Sequence, residues 1–182
     1  SAMRIAVDAR PLASPLTGIG RYTRALLEAM VTQGHQWYLY SDRPLRVTFQ
    51  QNPRLFVRHG NAKGGTPGSL RWAQLQYPRW CVQDVVDLFW SPRHHLPLLL
   101  NQRISSVVTI HDMVWRQFPE TMQKKNLWLE RVLMGPSIHK SDRVICVSRF
   151  TASEVSRYYP AAVGKCHVIH EAAEADVVMD HG

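Results

Sequence analysis

Long apolar runs are missing from this sequence of 182 residues. Its most apolar stretch, residues 96–100, is five residues long and contains Pro97, whereas a membrane-spanning helix needs roughly 18 consecutive apolar residues. The first residues also lack the charged, apolar and small-residue segments of a secretory leader, so we expect no signal peptide and a cytoplasmic location. Ser1 and Ala2 are interpreted as residues left by expression cloning.

Cysteine is scarce as well. The three cysteines, Cys81, Cys146 and Cys166, lie far apart, and no two of them form a C-x-x-C pair. Two of them lie within apolar runs, where a free thiol behaves as a small buried hydrophobic side chain. This spacing argues against a structural disulfide and against a zinc site.

Acidic residues are few in the first part of the chain. Residues 1–80 hold eleven Lys and Arg but three Asp and Glu, whereas residues 81–182 hold eleven of each, so the first part accounts for the whole formal charge of +8. Arginine outnumbers lysine seventeen to five, and its planar guanidinium suits phosphate oxygens. Nucleic acid, an anionic membrane and a phosphorylated small molecule all fit this charge, and so does a merely solvated basic surface.

Short apolar runs alternate with helical patterns along the chain. The runs are continuous rather than alternating, which is typical of strands buried on both faces of a parallel sheet. They lie at residues 4–8, 37–40, 55–57, 87–90, 106–110, 143–147 and 166–169, and the helical patterns lie at residues 17–34, 69–86, 122–139 and 151–159. The fold class predicted is therefore α/β, a Rossmann-like parallel sheet with helices on both faces.

Two segments depart from this regular pattern. Residues 60–69 contain four glycines and Pro67, a composition that predicts a flexible loop. Gly135 and Pro136 fall inside the third helical pattern and predict an interruption there.

Gly18 and Gly20 stand at the start of the first helical pattern. Glycines there let backbone amides approach an anion, and the helix dipole favours negative charge at the same point. Arg10 and Arg21 can add charge-assisted contacts, so these four residues form a candidate substrate or phosphate site. The alternative is a turn that merely needs the backbone freedom of glycine.

A dinucleotide fingerprint is one specific version of such a site. Asp42 lies 22 residues beyond Gly20, about where a ribose-binding acid is expected. However, Thr23 replaces the third glycine, and nine residues separate Asp8 from Gly18 where the loop of an NAD site is tight. These two features argue against NAD binding.

His111 and Asp112 follow the apolar run that ends at residue 110. A strand with this ending places an imidazole at the carboxyl edge of a parallel sheet, where α/β proteins bind ligands. Because histidine can donate to a substrate hydroxyl or move a proton near neutral pH, these two are the candidate catalytic residues. Alternatively, the imidazole only satisfies a backbone group. His94 and His95 add no third ligand at a known spacing, so no metal site is predicted.

Ser148 and Arg149 follow the strand-like residues 143–147 at the same predicted edge. Ser148 can cap the helix that comes next. The other interpretation is that both residues contribute to substrate or phosphate binding beside His111.

Four motifs, taken in order, carry a resemblance to a known family. They are Ile5-Ala6-Val7-Asp8-Ala9-Arg10-Pro11-Leu12, Gly18-Ile19-Gly20-Arg21-Tyr22-Thr23, Thr109-Ile110-His111-Asp112 and Val147-Ser148-Arg149-Phe150-Thr151. The ordered set resembles the N-terminal domain of GT-B glycosyltransferases of family four, over nearly the whole chain. The subgroup that it resembles most comprises bacterial mannosyl- and rhamnosyltransferases that build lipopolysaccharide or capsular glycans.

This resemblance implies two Rossmann-like domains facing a cleft, with the acceptor bound mainly by the first domain and the nucleotide sugar by the second. It implies retaining transfer of mannose or rhamnose, from a donor such as GDP-mannose or GDP-rhamnose, to a growing lipopolysaccharide or polysaccharide. No cofactor and no metal are expected. Gly18 and Gly20 would lie near the diphosphate or acceptor, and His111 would touch the transferred sugar.

The sequence departs from the family near its end. The family's donor domain carries two glutamates eight positions apart, and none of the six glutamates here forms such a pair. The Pro-Asn-Gly of the family's interdomain crossing is also absent. We therefore expect residues 3–172 to be the acceptor-side domain, residues 173–182 to be the start of the crossing or a tail, and the donor domain to be missing.

Two further partners are considered. The basic pattern at residues 122–134 sets Leu127, Trp128 and Leu129 near lysines and Arg131, which suits peripheral contact with the inner face of the cytoplasmic membrane or a lipid-linked acceptor. The alternative is that these apolar residues pack on the sheet. A nucleic-acid module would need an aromatic platform such as Trp72, Tyr77 and Trp80, but no RNP-like pattern surrounds them, so we expect no nucleic acid.

Overall fold

Seven parallel strands form the centre of the fold. The computed structural model describes residues 1–62, 65–117, 119–121 and 123–170. The strand order is β3-β2-β1-β4-β5-β6-β7, and each neighbouring pair is parallel. The strands are β1 (Arg4–Asp8), β2 (Gln36–Ser41), β3 (Leu55–His59), β4 (Leu88–Ser91), β5 (Ser105–Ile110), β6 (Arg143–Cys146) and β7 (Cys166–Val168).

Five α-helices connect these strands within the part of the chain that the structure describes. They are α1 (Gly18–Met30), α2 (Gly65–Gln83), α3 (Val114–Gln117), α4 (Lys124–Lys140) and α5 (Arg149–Tyr158), with short 3-10 segments at Arg10–Leu12, Pro119–Thr121 and Pro160–Lys165. Among the described residues, none of these helices combines the length and the apolar character that crossing a bilayer requires. The predicted α/β class with a parallel sheet is confirmed.

Separate apolar cores on the two faces of the sheet explain the continuous apolar strands. Ile5 and Val7 of β1 pack in one core with Leu27 of α1, whereas Ala6 belongs to the other core. That second core is larger and takes side chains from α2, α4 and α5, among them the fully buried Met134. Because successive strand residues point to opposite faces, both faces must be apolar.

The order of the strands creates a crevice at one edge of the sheet. From β1 the chain moves outward to β2 and β3 on one side, then returns to place β4 on the other side of β1. At such a reversal the connections after β1 and β4 leave in opposite directions, so a crevice opens beyond the carboxyl ends of these strands. Asp8 ends β1 and Ser91 ends β4, at the carboxyl edge where this crevice opens.

Two local predictions are wrong. The loop expected at residues 60–69 gives way at Gly65 to the first turn of α2, and a proline in a first turn removes no helical hydrogen bond. Pro136 also does not interrupt α4, because Met134 and Ile138 on either side of it are fully buried and hold the helix on the sheet. Met122, the expected start of this helix, and the expected crossing or tail at residues 173–182 lie outside the described residues.

Candidate functional site

A cleft of about 750 Å³ lies at the carboxyl edge of the sheet. The ends of β1 and β5, the N-terminus of α1, the start of α2 and the middle of α4 all line it. Of the eight predicted site residues, four border the cleft: Arg10, Gly18, His111 and Asp112. The reversal in strand order thus brings together residues separated by about 100 positions in the chain.

Arg10 is bound to the aspartate that ends β1. Its Nε donates to Asp8 Oδ1 at 2.9 Å and its Nη2 donates to Asp8 Oδ2 at 2.7 Å, while Nη1 lies 3.4 Å from Ser69 Oγ. The Tyr77 hydroxyl also donates to Asp8 Oδ1, at 3.0 Å. Burial alone would lower the pKa of Arg10, but the Asp8 carboxylate raises it overall. The guanidinium is therefore a fixed positive wall of the cleft, with two of its N–H groups already used.

The two glycines of α1 have different surroundings. Gly18 borders the cleft, and a Cβ built on it meets no atom within 4 Å. Gly20 is buried, and a Cβ there would lie 3.0 Å from the Pro11 carbonyl oxygen and from Leu16. Thr17 caps the helix by accepting the Gly20 N–H at 3.3 Å. Gly18 thus leaves open space beside the cleft, whereas Gly20 allows close packing beneath it.

His111 is held by its neighbours at the end of β5. Its Nε2 donates to the Pro92 carbonyl at 2.7 Å, and its backbone N–H donates to His94 Nε2 at 3.0 Å. The rings of Tyr22 and His111 pack in a T-shaped arrangement, with centroids 5.1 Å apart. Because a carbonyl only accepts, His111 Nε2 carries a proton. Asp112 is exposed, and its Oδ1 accepts the Val114 N–H at 3.2 Å.

Arg21, Ser148 and Arg149, the other three predicted site residues, are not among the residues that line the cleft. Arg21 is exposed on α1, and Arg149 is exposed at the start of α5. Ser148 caps α5 by accepting the Thr151 N–H at 3.0 Å, which is the capping role considered for it from the sequence. Thr151 Oγ1 in turn donates to the His111 carbonyl at 3.2 Å. Ser148 is therefore connected to His111 through Thr151, without itself reaching the cleft.

The structure adds an acidic and imidazole cluster that the sequence motifs do not contain. Glu130 of α4 lies between His94 and His95, with Oε2 3.0 Å from His95 Nε2 and Oε1 3.5 Å from His94 Nδ1. His95 and Glu130 border the cleft. Burial lowers the pKa of His95, against the opposing effect of Glu130. Burial alone would raise the pKa of Glu130, but hydrogen bonds from the two histidines lower it well below its usual range, so the carboxylate is ionised at neutral pH.

Further charged residues border the cleft. Asp42, which follows β2, is buried and accepts from Arg43 Nη2 at 3.1 Å, and both residues border the cleft. Arg93, in the loop after β4, borders it too. Across the described residues, no group of three His, Cys, Asp or Glu side chains is arranged to hold a metal ion.

The aromatic residues considered as a nucleic-acid platform pack inside the protein. Tyr77 and Trp80 are buried in the larger core, and Trp72 packs against it. Trp72 meets both of them edge to face, with centroids 5.7 and 5.3 Å away. A stacking platform needs ring faces open to bases, so these rings do not provide one.

Comparison with known proteins identifies a family for the chain. The profile of Glycosyltransferase Family 4 matches residues 16–176. O-antigen chain mannosyltransferase B of Escherichia coli is 26% identical over 175 residues, which is 87% of this chain and 45% of that protein. The chain thus spans less than half the length of the curated relative that it matches.

Solved structures show the same fold. A glycosyltransferase from Rickettsia africae ESF-5 superposes with a TM-score of 0.54 at 14% identity, over 93% of this chain and 43% of that one. UDP-GlcNAc 2-epimerase from Methanocaldococcus jannaschii gives a TM-score of 0.52 at 11% identity, over 94% of this chain and 46% of that one. At these identities the likeness concerns the architecture alone.

Proposed function

The chain belongs to glycosyltransferase family 4, and from that membership we propose that it is the acceptor-side domain of a retaining hexosyltransferase. The enzyme transfers mannose or rhamnose from a nucleotide sugar, such as GDP-mannose or GDP-rhamnose, to a growing lipopolysaccharide or polysaccharide. The mannosyltransferase relative supports the hexose and the acceptor class. In this proposal a second domain binds the donor, and the chain's span of 45% of the mannosyltransferase's length leaves room for that domain.

The observation that carries this proposal is the cleft at the reversal in strand order. It combines the imidazole of His111, the N-terminus of α1 and charged side chains of both signs. A sugar bears many hydroxyl groups, and its nucleotide bears a diphosphate. Imidazole, carboxylate and guanidinium groups pair with hydroxyls, and helix amides pair with phosphates, so the lining matches both parts of a nucleotide-sugar reaction.

Each candidate residue takes a role in this proposal. His111 contacts the transferred sugar, with Asp112 beside it. The backbone amides around Gly18 face the diphosphate or the acceptor. The absence of a side chain on Gly20 lets α1 pack closely against the Pro11 backbone beneath the cleft.

Arg10 supplies positive charge to the acceptor's phosphates in the cleft. Arg21 and Arg149, exposed outside the cleft lining, can meet only a part of the acceptor that extends beyond it, and Ser148 acts as the cap of α5. The chemistry uses no metal ion.

A panel of nucleotide sugars tests this function in the natural full-length protein. We expect transfer from GDP-mannose or GDP-rhamnose to a glycan acceptor, with the anomeric configuration of the donor kept in the product. Residues 3–182 alone serve as the control and are expected to transfer nothing. Failure of the full-length protein to transfer from any donor would refute the proposal, and transfer by residues 3–182 would refute the need for a second domain.

A further inference from the structure

Glu130, His94 and His111 form a continuous hydrogen-bond network from α4 to the end of β5. His94 Nδ1 lies 3.5 Å from Glu130 Oε1, and His94 Nε2 lies 3.0 Å from the backbone nitrogen of His111. The side chains of His94 and Glu130 are 7% and 14% exposed, so water competes little for these contacts. This network joins three segments of the fold: α4, the loop after β4 and the end of β5.

The partners of His94 select one tautomer of its ring. A backbone N–H can only donate, so Nε2 must accept the His111 N–H, and the neutral ring then carries its proton on Nδ1. That proton faces the ionised Glu130 carboxylate, which only accepts. Glu130 and the His111 amide therefore favour the same tautomer from opposite sides of the ring. Such an arrangement fixes both the protonation and the orientation of an imidazole.

His94 adopts a backbone conformation that is unfavourable for its residue type. Its φ is 55°, in the left-handed region that non-glycine residues rarely enter. Its backbone N–H donates to the Thr109 carbonyl of β5 at 2.9 Å. Two residues further along the loop, the Leu96 N–H donates to Ser137 Oγ of α4 at 2.9 Å. The loop is thus tied to β5 and to α4 on both sides of the ring, and these ties hold the costly conformation.

His111 is held by this loop at two points. Its backbone N–H donates to His94, and its ring Nε2 donates to the Pro92 carbonyl at 2.7 Å. A third contact comes from Thr151, which donates to the His111 carbonyl. A shift of the loop would therefore move both the backbone and the imidazole of His111. Misplacing a reacting group by about 1 Å can cost on the order of 100-fold in rate.

We propose that Glu130 and His94 are positioning residues for His111, with Glu130 fixing the His94 ring and His94 fixing the end of β5. The inference rests on the proposed function, in which His111 contacts the transferred sugar. Glu130 also borders the cleft, so direct binding of an acceptor hydroxyl by its carboxylate is the competing role. The two roles differ in which kinetic constant they move.

NMR of the ¹⁵N-labelled 182-residue chain tests the geometry without any enzymatic activity. An N–H···N hydrogen bond transmits a scalar coupling, so we expect a cross-peak between the His111 amide nitrogen and His94 Nε2. Glu130→Gln should weaken or abolish it, because the ring loses the charge that fixes its tautomer. Glu28→Gln, the same substitution on the exposed face of α1, should leave it unchanged. His95→Asn, which removes the other partner of Glu130, should retain the cross-peak.

Absence of this cross-peak in the unmodified chain, or a cross-peak of undiminished intensity in Glu130→Gln, would overturn the inference. Steady-state kinetics of the full-length enzyme give the second readout. Glu130→Gln and His94→Asn should each lower kcat by about tenfold or more while the acceptor KM changes by less than about threefold. An unchanged kcat, or a rise in the acceptor KM at constant kcat, would contradict positioning. If the unmodified enzyme transfers no sugar, the proposed function fails, and the NMR result still decides the geometry.

Discussion

Gly20 has no room for a side chain, although its neighbour Gly18 has. In Gly20→Ala, the new methyl carbon would lie 3.0 Å from the Pro11 carbonyl oxygen, a backbone atom that cannot rotate away. We expect Gly20→Ala to lower the free energy of unfolding by about 1 kcal/mol or more, through overpacking. Gly18→Ala, with open space around it, should leave this free energy unchanged or raise it by up to about 1 kcal/mol. Urea unfolding of both variants measures the difference, and equal effects would contradict it.

His95 makes the stability of the protein sensitive to acid. Burial lowers the pKa of His95 in the folded state, so between its unfolded and folded pKa values the unfolded chain binds more protons. Stability should therefore fall as the pH drops below about 6.5, the unperturbed value for histidine. In His95→Asn the fall in unfolding free energy between pH 7 and pH 5 should be smaller. Urea unfolding at both pH values checks this, and an equal fall in the two proteins would refute the assignment to His95.

Glu130 contributes to the same trend at lower pH. Its pKa is lowered in the folded state by the two histidines, against the raising effect of burial. The stability that it provides is present above its unfolded pKa of about 4.3 and is lost as the pH falls further. The two groups therefore act in separate windows, so measurements between pH 7 and pH 5 report His95 with little contribution from Glu130.

Helix α4 carries a proline that its own geometry does not favour. Pro136 is exposed in the interior of the helix, where it removes one backbone hydrogen bond. Because alanine is about 3 kcal/mol more favourable than proline in a helix interior, Pro136→Ala should raise the free energy of unfolding by roughly 1 kcal/mol or more.

Pro160 provides the matched control for this prediction. It opens a 3-10 segment, where the missing N–H costs nothing and the fixed φ limits the unfolded chain. Pro160→Ala should therefore lower the free energy of unfolding slightly. If thermal and urea unfolding show that Pro136→Ala is destabilising, the proline has a packing role that outweighs the lost hydrogen bond.

The residues of α4 that suggested membrane contact have different surroundings. Leu127 packs partly against the larger core, Leu129 borders the cleft, and Trp128 is 61% exposed. The expected apolar face is thus divided, and Trp128 is the member of the three that remains available to a membrane.

Elements and their order were predictable from the sequence, whereas the contacts across the cleft were not. The apolar runs predicted all seven strands, because a strand buried on both faces needs continuous apolar residues. The run of residues 107–110 likewise placed His111 at the carboxyl edge. By contrast, Glu130 meets His94 across 36 positions in the chain, and no local pattern encodes that distance. For Ser148, the sequence predicted its place at the start of α5 and its capping role, but not that it lies outside the cleft.

The basic charge of the first 80 residues leads to a prediction for the protein as a body in solution. If the basic residues of this segment face an anionic membrane, each of them contributes about 1 kcal/mol of binding free energy when it lies near the lipid headgroups. The attraction fades beyond a Debye length of about 10 Å at 0.1 M salt. Sedimentation with anionic vesicles should show binding that weakens steeply with salt. Arg21→Glu with Arg24→Glu, on α1, should reduce it further.

A second pair of exposed arginines controls for net charge alone. Arg103→Glu with Arg143→Glu makes the same change in charge in the part of the chain that is neutral overall, and it should reduce vesicle binding less. Equal sedimentation with anionic and neutral lipid would contradict membrane contact and leave the basic surface to the phosphates of the acceptor.

The kinetics of His111→Ala in the full-length enzyme test most directly the claim that sugar transfer takes place in the cleft at the carboxyl edge of this sheet. His139→Ala, an exposed histidine on α4, is the matched control. If the imidazole acts on the transferred sugar in the transition state, His111→Ala lowers kcat by a larger factor than it raises KM, and His139→Ala changes neither. An unchanged kcat in His111→Ala would contradict the account and leave His111 as a residue that only completes the hydrogen bonds of the sheet edge.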